Sequence, residues 1–287
     1  MNDESIARTP RQLERGRLEK VLRLMRRQAW LQSRDAAVLA LHDVCPNDAG
    51  FDISLDLLHR FTFFDVASAQ REVCEHSSRA IQELELSPKD TLFVALSDAD
   101  RANSGLVVLN WMKQHLAAAG GWQKDHFYTG VPAAAHAVSE GGSLIFVDDF
   151  VGTGDTLRRK AAYIDKVLRR RGVDNVTIGL IALAAMKAAE STIRACAKKI
   201  AVRHELLRGI SDYYNGTELQ LATQAMLDAE TMLAKKIGNR RLQSFGYKAS
   251  ETLYAIEGTS TPNNVFPLFW WGKMASGLEY PPILVRA

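Results

Sequence analysis

The stretch that decides how this chain is interpreted is Ser143-Leu-Ile-Phe-Val-Asp148-Asp149-Phe-Val-Gly152-Thr153-Gly154-Asp155-Thr156-Leu157. Leu144 to Val147 form a continuous apolar run, which is typical of a parallel strand buried on both faces. We expect the two aspartates to end this strand where the backbone leaves the sheet. Open α/β sheets bind ligands at that edge.

The residues after the acidic pair suit a phosphate. Gly152, Thr153, Gly154 and Thr156 offer small side chains, backbone N–H groups and hydroxyls just before a predicted helix, whose positive end attracts anions. The two carboxylates suit ribose, because its 2′- and 3′-hydroxyls are neighbouring donors, and they also suit Mg²⁺. This pattern predicts a ribose-phosphate site.

A purely structural interpretation of the same residues is an ordinary strand, an Asx-type turn and a helix start capped by Thr153 or Asp155. It leaves the acidic pair unexplained, since capping needs only one polar residue. A P-loop is excluded because no Gly-Lys-Ser/Thr follows, and a Rossmann fingerprint is excluded because no G-x-G-x-x-G stands at a strand-to-helix turn.

The pattern V-D-D-x-x-x-T-G-x-T-L, from Val147 to Leu157, resembles the 5-phosphoribosyl 1-pyrophosphate (PRPP) motif of type I phosphoribosyltransferases. The resemblance implies an α/β fold, with a parallel-sheet core and helices on both faces. It implies that Asp148 and Asp149 are the catalytic and ribose-binding residues. The 5′-phosphate would be held by the residues of the following loop: Gly152, Thr153, Gly154, Asp155 and Thr156.

Composition is that of an ordinary globular protein: 287 residues, 47% apolar, 24% charged and a net charge of +3. The three cysteines lack zinc or disulfide spacing. There is no apolar run of membrane-spanning length, and Met1-Asn-Asp-Glu is unlike the start of a signal peptide. We therefore expect a cytoplasmic location and no membrane partner.

The chain divides into three predicted parts. Residues 1–88 form a helical N-terminal part, with helices at 11–32 and 67–84 and a loop at 43–51. Residues 89–206 form the core, in which short apolar runs alternate with helical stretches as in βαβ units. Its strands are predicted at 91–96, 127–129, 144–147, 176–183 and 200–205, and its helices near 105–118, 156–171 and 185–198. Residues 207–287 form a C-terminal hood, with a helix at 217–237 and a last strand at 251–257.

The helix at 11–32 is amphipathic with a basic outer face. Its apolar residues, Leu18, Val21, Leu22, Met25 and Ala29, are expected to pack on the body of the protein. Its arginines are either solvated or form the surface that docks a partner.

The loop after the first core strand binds pyrophosphate in the family. Here it contains Ser97, Asp98, Asp100, Arg101, Ser104 and Gly105. Ser104 and Gly105 can offer N–H groups at a helix start, and Arg101 offers a cation. The two aspartates depart from the family pattern, because they repel phosphate unless Mg²⁺ lies between. The two aspartates either recruit metal or show that pyrophosphate binding has weakened. Alternatively, they are turn residues that cap the next helix.

A second departure lies at 131–142, the equivalent of a mobile loop that often carries basic residues in the family. This loop is short and holds His136 and Glu140 but no lysine or arginine. A cation is the group best placed to stabilise departing pyrophosphate, so its loss makes ordinary nucleotide salvage a weaker expectation.

The C-terminal tail makes the resemblance to phosphoribosyltransferases more specific. Ser244-Phe-Gly-Tyr247 and Thr261-Pro-Asn-Asn264, followed by Pro267-Leu-Phe-Trp270, are similar to the C-terminal signature of a bacterial phosphoribosyltransferase-like group of biological-conflict systems. The resemblance implies a role in anti-phage defence beside a partner such as a retron reverse transcriptase with its RNA or DNA. Asn263, Asn264, Trp270 and Trp271 are the candidates for the base side. The tryptophans alternatively form a hydrophobic plug.

Two classes of function remain open from the sequence. One is an enzyme, with Mg²⁺ as cofactor, that binds PRPP or a nucleotide and acts at C1 of the phosphorylated ribose. The other is a catalytically inactive sensor of PRPP or nucleotide that regulates a partner. The acceptor base, the partner, the activation trigger and the oligomeric state are not determined by the sequence, although an oligomer is compatible with it.

Overall fold

A computed structural model of the protein describes residues 13–96 and 104–286. Pyrophosphate-loop residues Ser97, Asp98, Asp100 and Arg101 lie outside the described residues. The α-helices, in chain order, are α1 (Arg15–Arg27), α2 (Asp35–Val44), α3 (Asp48–His59), α4 (Val66–Glu83), α5 (Ser104–Ala119), α6 (Val131–Ala137), α7 (Asp155–Arg171), α8 (Glu190–Cys196) and α9 (Gly216–Thr231). The strands are β1 (Thr62–Phe64), β2 (Thr91–Ala95), β3 (Phe127–Tyr128), β4 (Ser143–Val151), β5 (Thr177–Met186), β6 (Lys199–Leu206), β7 (Lys236–Ile237), β8 (Arg240–Arg241) and β9 (Tyr254–Ile256).

The chain forms two compact units, and each is assembled from separate stretches of sequence. The helical unit contains residues 13–62, Gly209–Tyr254 and 265–286. The sheet unit contains Phe63–Arg208 and Ala255–Asn264. Both the predicted N-terminal part and the predicted hood contribute to the helical unit. The first two residues of the hood and its segment Ala255–Asn264 belong to the sheet unit.

The sheet unit is built on five parallel strands in the order β3-β2-β4-β5-β6. The central strand, β4, buries Leu144, Ile145, Phe146 and Val147 completely, as its apolar run predicts. All five predicted core strands are present, and the α/β fold class is confirmed.

Helices cover both faces of this sheet. Val147 and Ile181 face α4 and α5, since they line one small cavity with residues of those helices. Val147 is the register partner of Ile181, and Ala182 that of Val202, so Val202 points to the opposite face, where it lies beside α8. The sequence prediction of a parallel sheet with helices on both faces is therefore confirmed.

The helical unit packs α3 against α9. Gly50 makes this approach close: a Cβ built on it would lie 3.4 Å from the Ala225 carbonyl oxygen and 3.4 Å from the Ala229 Cβ. Large apolar side chains fill the core, among them Phe51, Leu57, Phe266 and Phe269. Among residues 13–96 and 104–286, no helix is both long and apolar enough to cross a membrane.

Several predicted bounds are wrong for physical reasons. The loop predicted at 43–51 is two helix ends, because Pro46 follows the end of α2 and the Asn47 side chain caps α3 by accepting from the Gly50 N–H at 3.0 Å. The loop predicted at 131–142 contains α6, with proline in its first turn. Strand β5 runs on to Met186, so α8 begins five residues later than predicted.

The N-terminal helix is also shorter than predicted. Helix α1 ends at Arg27, and a 3₁₀ helix follows at Ala29–Arg34. Val21 and Leu24 are buried, whereas Leu18 and Leu22 are 43% and 46% exposed. The expected packing of the whole apolar stripe is therefore wrong for two of its leucines.

Candidate functional site

The acidic pair lies on β4 just past the point where its pairing with β2 ends and where its pairing with β5 continues. Pairing with β2 ends at Val147, which accepts from the Leu96 N–H at 3.0 Å. Pairing with β5 continues to Val151, opposite Ala185. The strand therefore does not end at the aspartates, as the sequence predicted, because β5 still supplies its backbone hydrogen bonds. Past Val147, none of the described strands pairs with β4 on its β2 side.

The position between the carboxyl ends of β2 and β4 is the topological switch point of the sheet. From β2 the chain moves outward to β3 and then returns to β4 on the other side, so the connections after β2 and β4 lead away from each other. Ligands of open parallel sheets bind in the crevice that such a reversal leaves at the carboxyl ends of the strands. The predicted ribose-binding residues stand at that crevice.

The two carboxyl groups are close and poorly hydrated. Asp149 is 5% exposed, Asp148 is half-buried, and the Asp148 Oδ1 accepts from the Asp149 N–H at 3.0 Å. Burial raises the pKa of both carboxyls, and the neighbouring carboxylate raises the pKa of Asp148 further. A ligand with hydroxyl donors or a cation would favour the ionised pair.

Helix α5 contributes a donor to the pair. Ser104, its first residue, donates a side-chain hydrogen bond to Asp149, which opposes the rise in the pKa of that carboxyl. The start of α5 and the end of β4 are thereby brought together. Gly105, which follows, is buried.

The phosphate loop, residues 152–156, turns β4 into α7. Gly154 is the residue before α7 and has φ +76°, a conformation that side chains with a Cβ adopt only with strain. The Thr153 hydroxyl donates to Asp155 Oδ2 at 3.0 Å, and Arg158 forms an ion pair with Asp155 at 3.0 Å. Thr156 is exposed. The N-cap residue Gly154 has no side chain to cap α7, and the Thr153 Oγ1 accepts from the Asp155 N–H at a long 3.4 Å.

Protein side chains occupy the space at both loop glycines. A Cβ on Gly152 would lie 2.4 Å from the Asn264 Nδ2, and a Cβ on Gly154 would lie 2.7 Å from the Thr192 Cγ2. Asn264 was predicted on the base side, but its side chain packs against the phosphate loop. Sequence reasoning missed Thr192, since nothing in its local pattern distinguishes it from any polar residue of a short helix.

Comparison with protein-family models shows which family the chain belongs to. A family model described as PRTase-CE matches residues 42–286. The chain belongs to the PRTase-CE family. The match includes the acidic pair, the phosphate loop and the C-terminal tail, and it begins after α1. Comparison with curated proteins gives no match. The family identifies this chain as a phosphoribosyltransferase-like protein.

The remaining base-side candidates of this PRTase-CE chain fall in different units. Asn263 and Asn264 belong to the sheet unit, and the two tryptophans to the helical unit. Trp271 is buried and donates its indole N–H to the Ala234 carbonyl at 2.7 Å. Trp270 is half-buried and donates to the Val265 carbonyl at 3.0 Å.

Metal binding in this PRTase-CE chain would depend on few protein ligands. Within residues 13–96 and 104–286, no three His, Cys, Asp or Glu residues are grouped as a metal cage. Mg²⁺ commonly uses one or two carboxylates together with water and substrate phosphates. The Asp148–Asp149 pair fits that kind of site. Asp98 and Asp100, the other predicted ligands, lie outside the described residues.

Proposed function

We propose that this PRTase-CE protein binds PRPP or a nucleotide in the crevice at the end of β4 and acts at C1 of the phosphorylated ribose. The observation that carries the proposal is the placement of Asp148 and Asp149 at the switch point of the sheet, directly before a loop and helix start that suit a phosphate. Family membership supports the same chemistry.

In this proposal each part of the site has a separate task. The carboxylates of Asp148 and Asp149 accept hydrogen bonds from the ribose hydroxyls, and Ser104 fixes the orientation of Asp149. The N–H groups at the start of α7 receive the 5′-phosphate. Asp155 opposes an anion only weakly, because Arg158 and Thr153 already engage its carboxylate.

Mg²⁺ is the proposed cofactor. The acidic pair would hold it, and the metal would supply positive charge for a departing pyrophosphate. Because burial disfavours two neighbouring carboxylates in the ionised form, a bound cation or sugar would also offset the cost of ionising them.

A sensor that binds PRPP or nucleotide without turnover is the second candidate. The observation that favours it is α6, which stands where the family carries a mobile and often basic loop. Residues 131–142 form a short helix and turn that contain no lysine or arginine. A glycosyl transfer that develops charge on pyrophosphate would receive no cation from this segment.

Calorimetry and product analysis separate these functions. We expect Asp148→Asn and Asp149→Asn each to weaken PRPP binding in the presence of Mg²⁺ by about tenfold to a hundredfold, as expected for losing a charged acceptor. Asp165→Asn on the exposed face of α7 is the control and should bind like the wild type. A wild type that binds neither PRPP nor nucleotides contradicts the proposal. Release of pyrophosphate or free base indicates an enzyme, and binding without either product indicates a sensor.

We also propose that the protein acts in anti-phage defence with a partner such as a retron reverse transcriptase and its nucleic acid. The resemblance of the tail motivates this proposal. In the structure, α1 lies outside the family match and exposes Arg15, Arg23, Arg26 and Arg27 together with Leu18 and Leu22. Such a surface suits a partner that offers both phosphates and apolar groups.

A further inference from the structure

The carboxamide of Asn264 lies flat on Gly152. A Cβ built on Gly152 would be 2.4, 2.5 and 2.6 Å from the Nδ2, Cγ and Oδ1 atoms of Asn264. Because these three distances are nearly equal, the planar group faces the Gly152 Cα with its broad side. Any residue other than glycine at 152 would displace it. Asn264 is 8% exposed, so the contact is internal to the protein.

The segment that carries Asn264 is a separate excursion of the chain. Ala255–Asn264 belongs to the sheet unit, while the residues before and after it belong to the helical unit. Within the sheet unit the Glu257 N–H donates to the Phe64 carbonyl at 2.8 Å, and Thr261 is buried. The tail of the sequence thereby delivers one amide side chain to the phosphate loop.

A second contact confines the loop from another element. Thr192 of α8 fills the space at Gly154, whose Cβ would approach its Cγ2 to 2.7 Å. Residues 152–154 are therefore packed by two side chains that lie far apart in sequence. The contacts differ in chemistry, since the Thr192 contact is made by a methyl group and the Asn264 contact by a polar amide. Burying an amide is costly unless its groups are hydrogen-bonded, so space filling alone is a poor reason for asparagine at 264.

We infer that Asn264 is a positioning residue for the phosphate loop, holding Gly152 so that the loop N–H groups converge on the phosphomonoester of a ribose 5-phosphate. This inference rests on the proposed function and assigns Asn264 to the phosphate end of the ligand rather than to the base. By linkage, a phosphate bound to the loop must stabilise the segment Ala255–Asn264 to the same extent that Asn264 improves phosphate binding.

Five variants test the assignment with ribose 5-phosphate as the probe. Asn264→Ala should weaken binding by about tenfold, because the loop N–H groups would no longer be held in their converging arrangement. Asn264→Asp keeps the shape and should also weaken binding, because a carboxylate beside the loop repels phosphate. Glu257→Ala, at an exposed position of the same segment, is the control and should bind normally. In the double variant Gly152→Ala/Asn264→Ala the clash is removed, so the melting temperature should recover relative to Gly152→Ala while binding stays weak.

The outcomes are distinct. Wild-type affinity in Asn264→Ala or Asn264→Asp overturns the inference, as does a double variant that regains both stability and full affinity, since Asn264 would then only fill space. Amide hydrogen exchange of residues 152–157 in the ligand-free protein gives a readout that needs no ligand. Asn264→Ala should accelerate it and Glu257→Ala should not; equal exchange overturns the inference. A wild type that fails to bind ribose 5-phosphate and PRPP overturns the proposed function, whereas the exchange result still decides whether Asn264 positions the loop.

Discussion

At the scale of single residues, the loop glycines have a role that the sequence did not indicate. The sequence assigned them to phosphate access, because glycine lets a ligand approach the backbone. The structure shows that Asn264 and Thr192 occupy the space at Gly152 and Gly154. These glycines are therefore required for packing as well as for the turn.

Gly154→Val should consequently impair folding as well as phosphate binding. A branched side chain would be strained at φ +76° and would overlap Thr192. The matched control is Gly172→Val at the end of α7, which has φ +63° and no atom within 4 Å of its would-be Cβ. Thermal melting should show a larger loss for Gly154→Val than for the control. Equal losses would mean that the Thr192 contact is unimportant.

Replacing each of the two adjacent tryptophans should have a different effect on stability. Trp271→Ala removes a buried indole and its bond to Ala234, so it should lower the free energy of unfolding by about 3–5 kcal/mol with little effect on affinity in the folded fraction. Trp270→Ala should cost less stability, because Trp270 is half-buried. Whether Trp270 faces a base stays a prediction. A loss of nucleotide affinity larger than the loss of ribose 5-phosphate affinity would support it, and equal losses would contradict it.

At the scale of elements, the sequence predicted correctly those strands and helices whose formation depends on local residue pattern. The apolar runs of the core predicted all five strands of the sheet, and the helical spacing at 67–84 and 156–171 predicted α4 and α7. The acidic pair and the loop glycines were predicted as a site because ribose-phosphate chemistry suits those residue types in that order, and their role stays a prediction.

The predicted element boundaries were wrong where contacts between distant residues determine where an element ends. Strand β4 continues through two aspartates because β5 pairs with it to Val151, a fact that no local pattern contains. Pro46 and Asn47 were interpreted as a long loop, although they only separate two helices. The contact of Asn264 with Gly152 joins residues more than a hundred positions apart, so it could not be found from spacing.

Helix α1 is the element that we expect to dock a partner. Replacing Arg15, Arg23, Arg26 and Arg27 with glutamate should abolish co-purification with the products of neighbouring genes, and wild-type association should weaken steeply with salt if phosphates are contacted. Lys166→Glu with Arg170→Glu on the exposed face of α7 controls for a general charge effect. Association that the arginine variant retains, or that salt does not affect, would exclude this docking surface.

At the scale of the whole molecule, a buried acid makes stability depend on pH. Glu230 is 1% exposed and accepts from the Phe245 N–H at 3.2 and 3.1 Å. Burial raises the pKa of Glu230 to about 7, from 4.5. Because the folded state holds the proton more tightly, stability is greatest below the unfolded pKa and falls as pH rises from about 4.5 to about 7.

Glu230→Gln should remove this dependence. The unfolding free energy of the variant minus that of the wild type should be about 3 kcal/mol larger at pH 8 than at pH 5. Each pKa unit corresponds to roughly 1.4 kcal/mol. Urea denaturation at both pH values measures the gain. Other buried acids are present in both proteins and cancel in the comparison. A difference that is the same at both pH values would show that Glu230 does not titrate in this range.

The interleaving of the two units has a consequence for synthesis on the ribosome. The first stretch of the helical unit, up to Thr62, is complete long before its partners from Gly209 onward exist. Roughly 150 residues separate them, which corresponds to about 7–30 s of translation at ~5–20 residues per second. During that interval the apolar face of α3 has no α9 to cover it. Nascent chains of this protein should therefore be clients of ribosome-associated chaperones until the residues from Gly209 onward emerge.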